Sequence, residues 1–234
     1  MSFIIAVHVN EGIVLASDRR TTYTTTITNG MITTKMCGIH TTNSTDKTFI
    51  CPNGCGISIC GEADFLGKPI TGFVKDFIRK KVSETTNVEE IPLIMADYFG
   101  EYESIPDIKV IVAGYDLDTK EQKIIRGSLR KRDFTAVDST FQGSCWDGET
   151  DTLTRLIQPM AIKKQDGSFT EMSQNPILWQ YFTLQDAVDF ARYAVESTIN
   201  TMHFKNMVET VGGGVDILVI TPEETKWLQK SEIK

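Results

Sequence analysis

The chain has no Cys-x-x-Cys pair, no excess of positive charge and no apolar run long enough to cross a bilayer as a helix. Each absence excludes something. A membrane-spanning helix needs about 20 consecutive apolar residues, so no membrane partner is expected. Lys and Arg number 24 against 31 Asp and Glu, a formal net charge of −7. Nucleic-acid binding calls for clustered cations that neutralise phosphates. The only basic clusters, Arg79-Lys80-Lys81 and Arg130-Lys131-Arg132, are short and read as solvated faces. The five cysteines, at 37, 51, 55, 60 and 145, are odd in number, which argues against a disulfide framework. Cys51, Cys55 and Cys60 lie in or beside an apolar strand, where a thiol acts as a small hydrophobe. A reducing, cytoplasmic setting is the expectation. A zinc site from Cys51, Cys55 and His40 lacks the usual paired ligand spacing, so no metal and no cofactor is expected. His8, His40 and His203 have no partner pattern, and His8 reads as a core residue. Asn10-Glu11 interrupts the first apolar run and no positive flank precedes it, so a secretory signal is not expected.

What is present is ordered from the first residues onward. Phe3 to Val9 and Ile13 to Ala16 are short apolar runs joined by Asn10-Glu11-Gly12, the signature of a buried β-hairpin. The strand starts almost at Met1, although chain ends usually fray unless tied down. With Met1 removed, Ser2 would carry a hydroxyl and a free α-amine at the end of a rigid strand. That pairing is the requirement of an N-terminal nucleophile, whose own amine accepts the hydroxyl proton.

Further along, Thr21 to Lys35 is Thr-rich around Asn29-Gly30, a strong hairpin signal, and 36–46 reads as a loop. Lys47 to Cys51 and Cys55 to Cys60 are strands about Pro52-Asn53-Gly54. Apolar residues at helical spacing predict a helix within 62–82, starting near Pro69, and a second over 88–99. Strands follow at 108–115 and 123–127, with an extended stretch at 135–142 leading into a Gly143-Ser144 turn. A helix is predicted over 149–162, while 163–180 has no clear period. Thr183-Leu-Gln-Asp186 is a capping signal that opens the strongest helix, with a stripe of Ala and Val. Val215 to Thr221 is a buried strand ended by Pro222. The order suits an α+β sandwich, and 234 residues suffice for one domain with a sizeable core.

As a set, Ser2, Asp18 with Arg20, Lys47 in Asp-Lys-Thr-Phe-Ile, Gly61, Gly143-Ser144 and the late Gly-Gly-Gly-Val-Asp at 212–216 resemble a known family. The chain looks like the β-subunits of the 20S proteasome and the HslV-type peptidases, which are N-terminal nucleophile (Ntn) hydrolases. The resemblance implies a four-layer αββα sandwich of two antiparallel sheets, a single domain over 1–234. A Thr-rich hairpin insertion near 22–46 exceeds the family's spacing by about a dozen residues, which a surface hairpin tolerates. It also implies peptide or amide hydrolysis through a Ser2 acyl-enzyme, a threonine-protease type of mechanism. In that reading Lys47 is a buried cation beside the amine and Asp18 its counter-charge. Gly61 donates its N–H to the oxyanion, and Ser144 orients the amine. Thr21, Thr45, Ile59 and Ala63 would line the pocket for the residue before the cut bond. Peptide or protein substrates, a homo-oligomeric ring and an ATPase partner are implied as well. The chain departs from the family where an Asp-x-x-Ser usually precedes the late glycines: Val208 and Val211 stand there, with Glu209 the nearest acid. That departure raises an alternative, a non-catalytic structural subunit. A peptide ligase using the same nucleophile is a further variant.

Overall fold

The computed structural model describes residues 2–29, 32–173 and 175–231. Met1 and the Gly30 half of the expected Asn29-Gly30 turn lie outside them. The described elements begin with β1 (Phe3–Val9), β2 (Gly12–Asp18), β3 (Thr21–Asn29), β4 (Ile32–Thr42), β5 (Thr48–Ile50) and β6 (Gly56–Gly61). Two short strands, β7 (Asp64–Phe65) and β8 (Lys68–Pro69), precede α1 (Ile70–Lys81) and α2 (Ile91–Gly100). Then come β9 (Ile108–Tyr115), β10 (Gln122–Ser128), β11 (Asp133–Ala136), β12 (Gly143–Gly148) and α3 (Asp151–Ile157). The chain closes with β13 (Ala161–Lys163), β14 (Phe169–Glu171), α4 (Leu184–His203), β15 (Val215–Ile220) and β16 (Thr225–Gln229). The architecture is mixed α/β, with antiparallel sheets and four α-helices among the described residues.

Two five-stranded sheets carry the core, ordered β12-β1-β2-β15-β16 and β11-β10-β9-β6-β5. β1 is buried on both faces, which is why its sequence is apolar without alternation. Phe3, Ile5, Val7 and Val9 pack with Ala187, Ala191 and Val195 of α4. Ile4 and Ala6, on the other face, share a cluster with Ile111, Ala113 and Ile124 of the second sheet. Each such side chain removed from water stabilises the fold by about 1.5–3 kcal/mol. The small residues along α4 let its backbone approach β1 and β2. Thr183 caps that helix, and both halves of a capping box with Asp186 are present. The second sheet turns Ile57, Val110 and Val112 toward Val74, Phe77, Met95 and Phe99 of α1 and α2.

Four stretches differ from their sequence expectation. Residues 36–42 continue β4 rather than looping, because Thr41 and Thr42 pair with Thr22 and Thr21 across a bulge at Tyr23/Thr24. Of the 62–82 stretch only 70–81 is α-helix, its start beside Pro69 as expected. The stretch before it folds into the β7–β8 ladder around Leu66 and Gly67, both left-handed at φ 51° and 71°. α3 is seven residues long and 161–163 is strand. Gly143-Ser144 is the first pair of β12 rather than a turn, and this last difference moves a site residue.

Candidate active site

Asp18 ends β2 and is fully buried. Its Oδ1 accepts the Phe3 backbone N–H at 3.0 Å and the Lys47 ammonium at 2.7 Å. Its Oδ2 accepts the backbone N–H groups of Arg20 and Gly212, both at 3.0 Å. Four donors fill the lone-pair sites of one carboxylate. Lys47, just ahead of β5, is buried and also donates to the Arg20 carbonyl. Burial pushes the Lys47 ammonium below the usual lysine range, and the attraction of Asp18 offsets this only in part. Removing either partner would strand the other in a dry site.

Ser2 immediately precedes β1 and has 7% of its surface exposed. It lines one cleft together with Lys47, Gly61 and the four expected pocket residues Thr21, Thr45, Ile59 and Ala63. The enclosed volume is about 20 Å³, room for roughly one water-sized group. Gly61 is required by its backbone: φ is 127°, and an added Cβ would lie 2.3 Å from the Asp107 carbonyl oxygen. A broader groove of about 810 Å³ continues from Gly61 and Ala63 between the β3–β4 hairpin and Met207 and Val208. The long hairpin therefore forms one wall of the approach to Ser2, through Thr22 and Thr24.

Ser144 is not brought to Ser2. β12 pairs with β1 so that Ser144 faces Val7, while Phe3 faces Gly148. Five residues of strand separate Ser144 from Ser2, about 17 Å at the usual rise. Its Oγ is buried without a hydrogen-bond partner among the described residues. The residue beside Ser2 is Glu149, whose N–H donates to the Ser2 carbonyl at 2.8 Å. The side chain of Arg20 turns away from Asp18 to Glu209 and to Asn43 Oδ1 at 2.9 Å. Of the residues in place of the Asp-x-x-Ser, Val211 is buried in the cluster under α4 and Val208 is exposed. Their neighbour Thr210 donates instead to Glu149 Oε1 at 3.1 Å.

Sequence reasoning missed the charge network one residue further along. Arg19 is 2% exposed and donates to Asp216 at 2.7 Å, to Asp46 at 3.3 Å and to the Ser44 carbonyl at 3.1 Å. Lys75 and Lys230 complete Asp46 at 2.7 and 2.8 Å. Burial alone would raise the Asp46 carboxyl, but hydrogen bonds from Lys230 and then Lys75 outweigh it and hold it at about 2. Asp46 also lines the Ser2 cleft. Cys51 and Cys55 close the β5–β6 turn, with the Cys51 N–H on the Cys55 carbonyl at 2.8 Å, and His40 stacks on Tyr23 in the exposed hairpin.

With this geometry in view, comparison with known proteins bears on the fold alone. No family profile and no curated protein matches the chain; the likeness is to solved structures and lies in the fold. The Gly-1 mutant of Anbu from Hyphomicrobium sp. strain MC1 superposes with a TM-score of 0.61 at 12% identity, covering 100% of this chain and 87% of that one. A second Anbu structure from the same strain gives 0.58 at 12% identity, covering 98% and 88%. This corrects the sequence resemblance: the neighbours are Anbu, a related but distinct Ntn type, and not the proteasome β-subunits or HslV.

Proposed function

We propose that the chain is an Ntn hydrolase that cleaves peptide or other amide bonds through an acyl-enzyme on Ser2. The single observation that carries the reading is the buried Asp18–Lys47 pair, whose lysine lines one cleft with Ser2. In this mechanism the α-amine of Ser2 takes the proton from Oγ as Oγ attacks the carbonyl. An α-amine titrates near 8 in the open, and the Lys47 charge lowers that value and favours the developing alkoxide. Asp18 holds the lysine, and the Gly61 N–H faces the oxyanion. Thr21, Thr45, Ile59 and Ala63 leave space for a small side chain before the cut bond. The proposal includes one domain over 1–234, a four-layer αββα arrangement with α4 outside one sheet and α1 and α2 outside the other, and a homo-oligomeric ring. Light scattering at the mass of a single chain would remove the ring.

The reading requires that Met1 be cleaved, since an acylated Ser2 nitrogen cannot act as base. Intact mass and N-terminal sequencing test that step, and turnover of short peptide amides by Ser2→Ala tests the next. Turnover equal to wild type in that variant sinks the nucleophile. A second reading, a non-catalytic subunit of an assembly, is favoured by Val208 and Val211 where the family has an acid and a hydroxyl. Quantitative retention of Met1, with no labelling by a β-lactone, would select it.

A further inference from the structure

If Ser2 is the nucleophile, its amine becomes an ammonium beside the Lys47 cation once it has taken the hydroxyl proton. Two positive groups at close range in a buried site need an anion. The acids around this corner of the molecule are nearly all spoken for. All four acceptor sites of Asp18 are taken, by Phe3, Arg20, Gly212 and Lys47. Asp46 binds Arg19, Lys75 and Lys230, and Glu209 binds Arg20 and His203. Asp147 binds Lys109 and Arg126, and Glu62 binds Arg130.

Glu149 differs from these. Among the described residues its carboxylate has a single partner, the Thr210 hydroxyl at 3.1 Å, and no cation. It follows Gly148, the last residue of β12, and its N–H donates to the Ser2 carbonyl at 2.8 Å, which sets its backbone beside Ser2 just past the end of the β1–β12 ladder. The approach depends on Gly148, at φ 95°, where a Cβ would lie 1.8 Å from the Ser2 carbonyl oxygen. Thr210 in turn lies two residues before Gly212, whose N–H holds Asp18, so one segment fixes both acids relative to the terminus.

We infer that Glu149, steadied by Thr210, is the positioning residue for the α-amine of Ser2, holding its ammonium form and aiming it at Oγ. This rests on the Ser2 reading above and adds a residue that neither the sequence pattern nor the fold comparison supplies. Lys47 and Glu149 then act on the amine in opposite senses. The cation favours the free base, and the carboxylate favours the protonated form that appears during attack. With one of each, the amine stays poised near neutral pH.

The test is the pH dependence of Ser2 acylation by a β-lactone, read by mass spectrometry, in wild type, Glu149→Gln, Glu149→Asp and Thr210→Val. The rate rises with pH as the ammonium loses its proton. Removing the carboxylate lowers the ammonium pKa, so the midpoint in Glu149→Gln is expected about one pH unit below wild type. Thr210→Val is expected to move it less in the same direction, and Glu149→Asp to restore part of the shift. Midpoints equal to wild type in both Glu149→Gln and Thr210→Val overturn the inference, and either variant alone reports if the other fails to fold. A wild type that is not acylated at Ser2 is a different failure: it removes the nucleophile reading first and this inference with it.

Discussion

Asp18 and Arg19 are neighbours in the chain, and each anchors a buried ion pair, yet the two pairs are built to different ends. Asp18 meets Lys47 at the wall of a cleft that also holds Ser2. Arg19 meets Asp216 at 2.7 Å, and the Asp216 carboxylate is completed by the Ser231 N–H at 3.1 Å and Lys230 at 3.2 Å. In the first pair burial depresses the lysine and leaves it at a cleft that it shares with Ser2. In the second, guanidinium and carboxylate are closed off by other protein groups. The lesson is that burial of charge does not by itself mark chemistry; what marks it is a charge whose neighbour is an open space.

That contrast can be broken by mutation. The largest effect is expected for Lys47→Met, which should lower the Ser2 acylation rate by roughly 10³-fold, as for loss of one oriented electrostatic group in a site. A rate within tenfold of wild type would show that the first pair is structural like the second. Arg19→Met should do the reverse. It leaves the buried Asp216 with the longer Lys230 contact in place of two cations and should cost about 3 kcal/mol in urea unfolding, with acylation per folded molecule unchanged. A loss of activity without a loss of stability would exchange the roles assigned to the two pairs.

Acid sharpens the comparison further. Asp46, at the edge of the Arg19 network, has a folded pKa of about 2, below its unfolded value. Its contribution is therefore complete above the unfolded carboxylate pKa, about 4, and is lost as pH falls toward 2. Unfolding followed from pH 5 to 2 should show this loss in wild type and a smaller one in Asp46→Asn. Curves of equal slope would remove Asp46 from the network's balance. The smallest effect is expected for Lys75→Ala. Lys75 is half exposed and screened by solvent, so its removal should change stability by less than about 1 kcal/mol.

The sequence made one of these pairs readable and concealed the other. The buried hairpin followed from two apolar runs, and the spacing from Ser2 to Asp18 and Lys47 placed three groups that the structure gathers at one cleft. Arg19 was hidden because its partners, Asp46 and Asp216, are 27 and 197 residues away. No local pattern distinguishes it from a surface cation in Asp-Arg-Arg. Ser144 was expected at Ser2, where Glu149 stands, for a related reason. Both belong to the Gly-Ser-Cys-Trp-Asp-Gly-Glu stretch, and only the long-range register of β12 on β1 decides which end meets Ser2. Residues 36–42 looked like a loop because Gly38 and His40 lead into the loop-type Asn43 and Ser44, and among the described residues their strand pairs only with the Thr-rich β3.

The Asp18 carboxylate gathers donors from positions 3, 20, 47 and 212. A chain still leaving the ribosome therefore lacks the glycine that completes this knot until nearly all of it has been made. Whatever reactivity Ser2 acquires is withheld from the nascent polypeptide and arrives with the finished fold, a built-in delay that protects unfinished copies from one another.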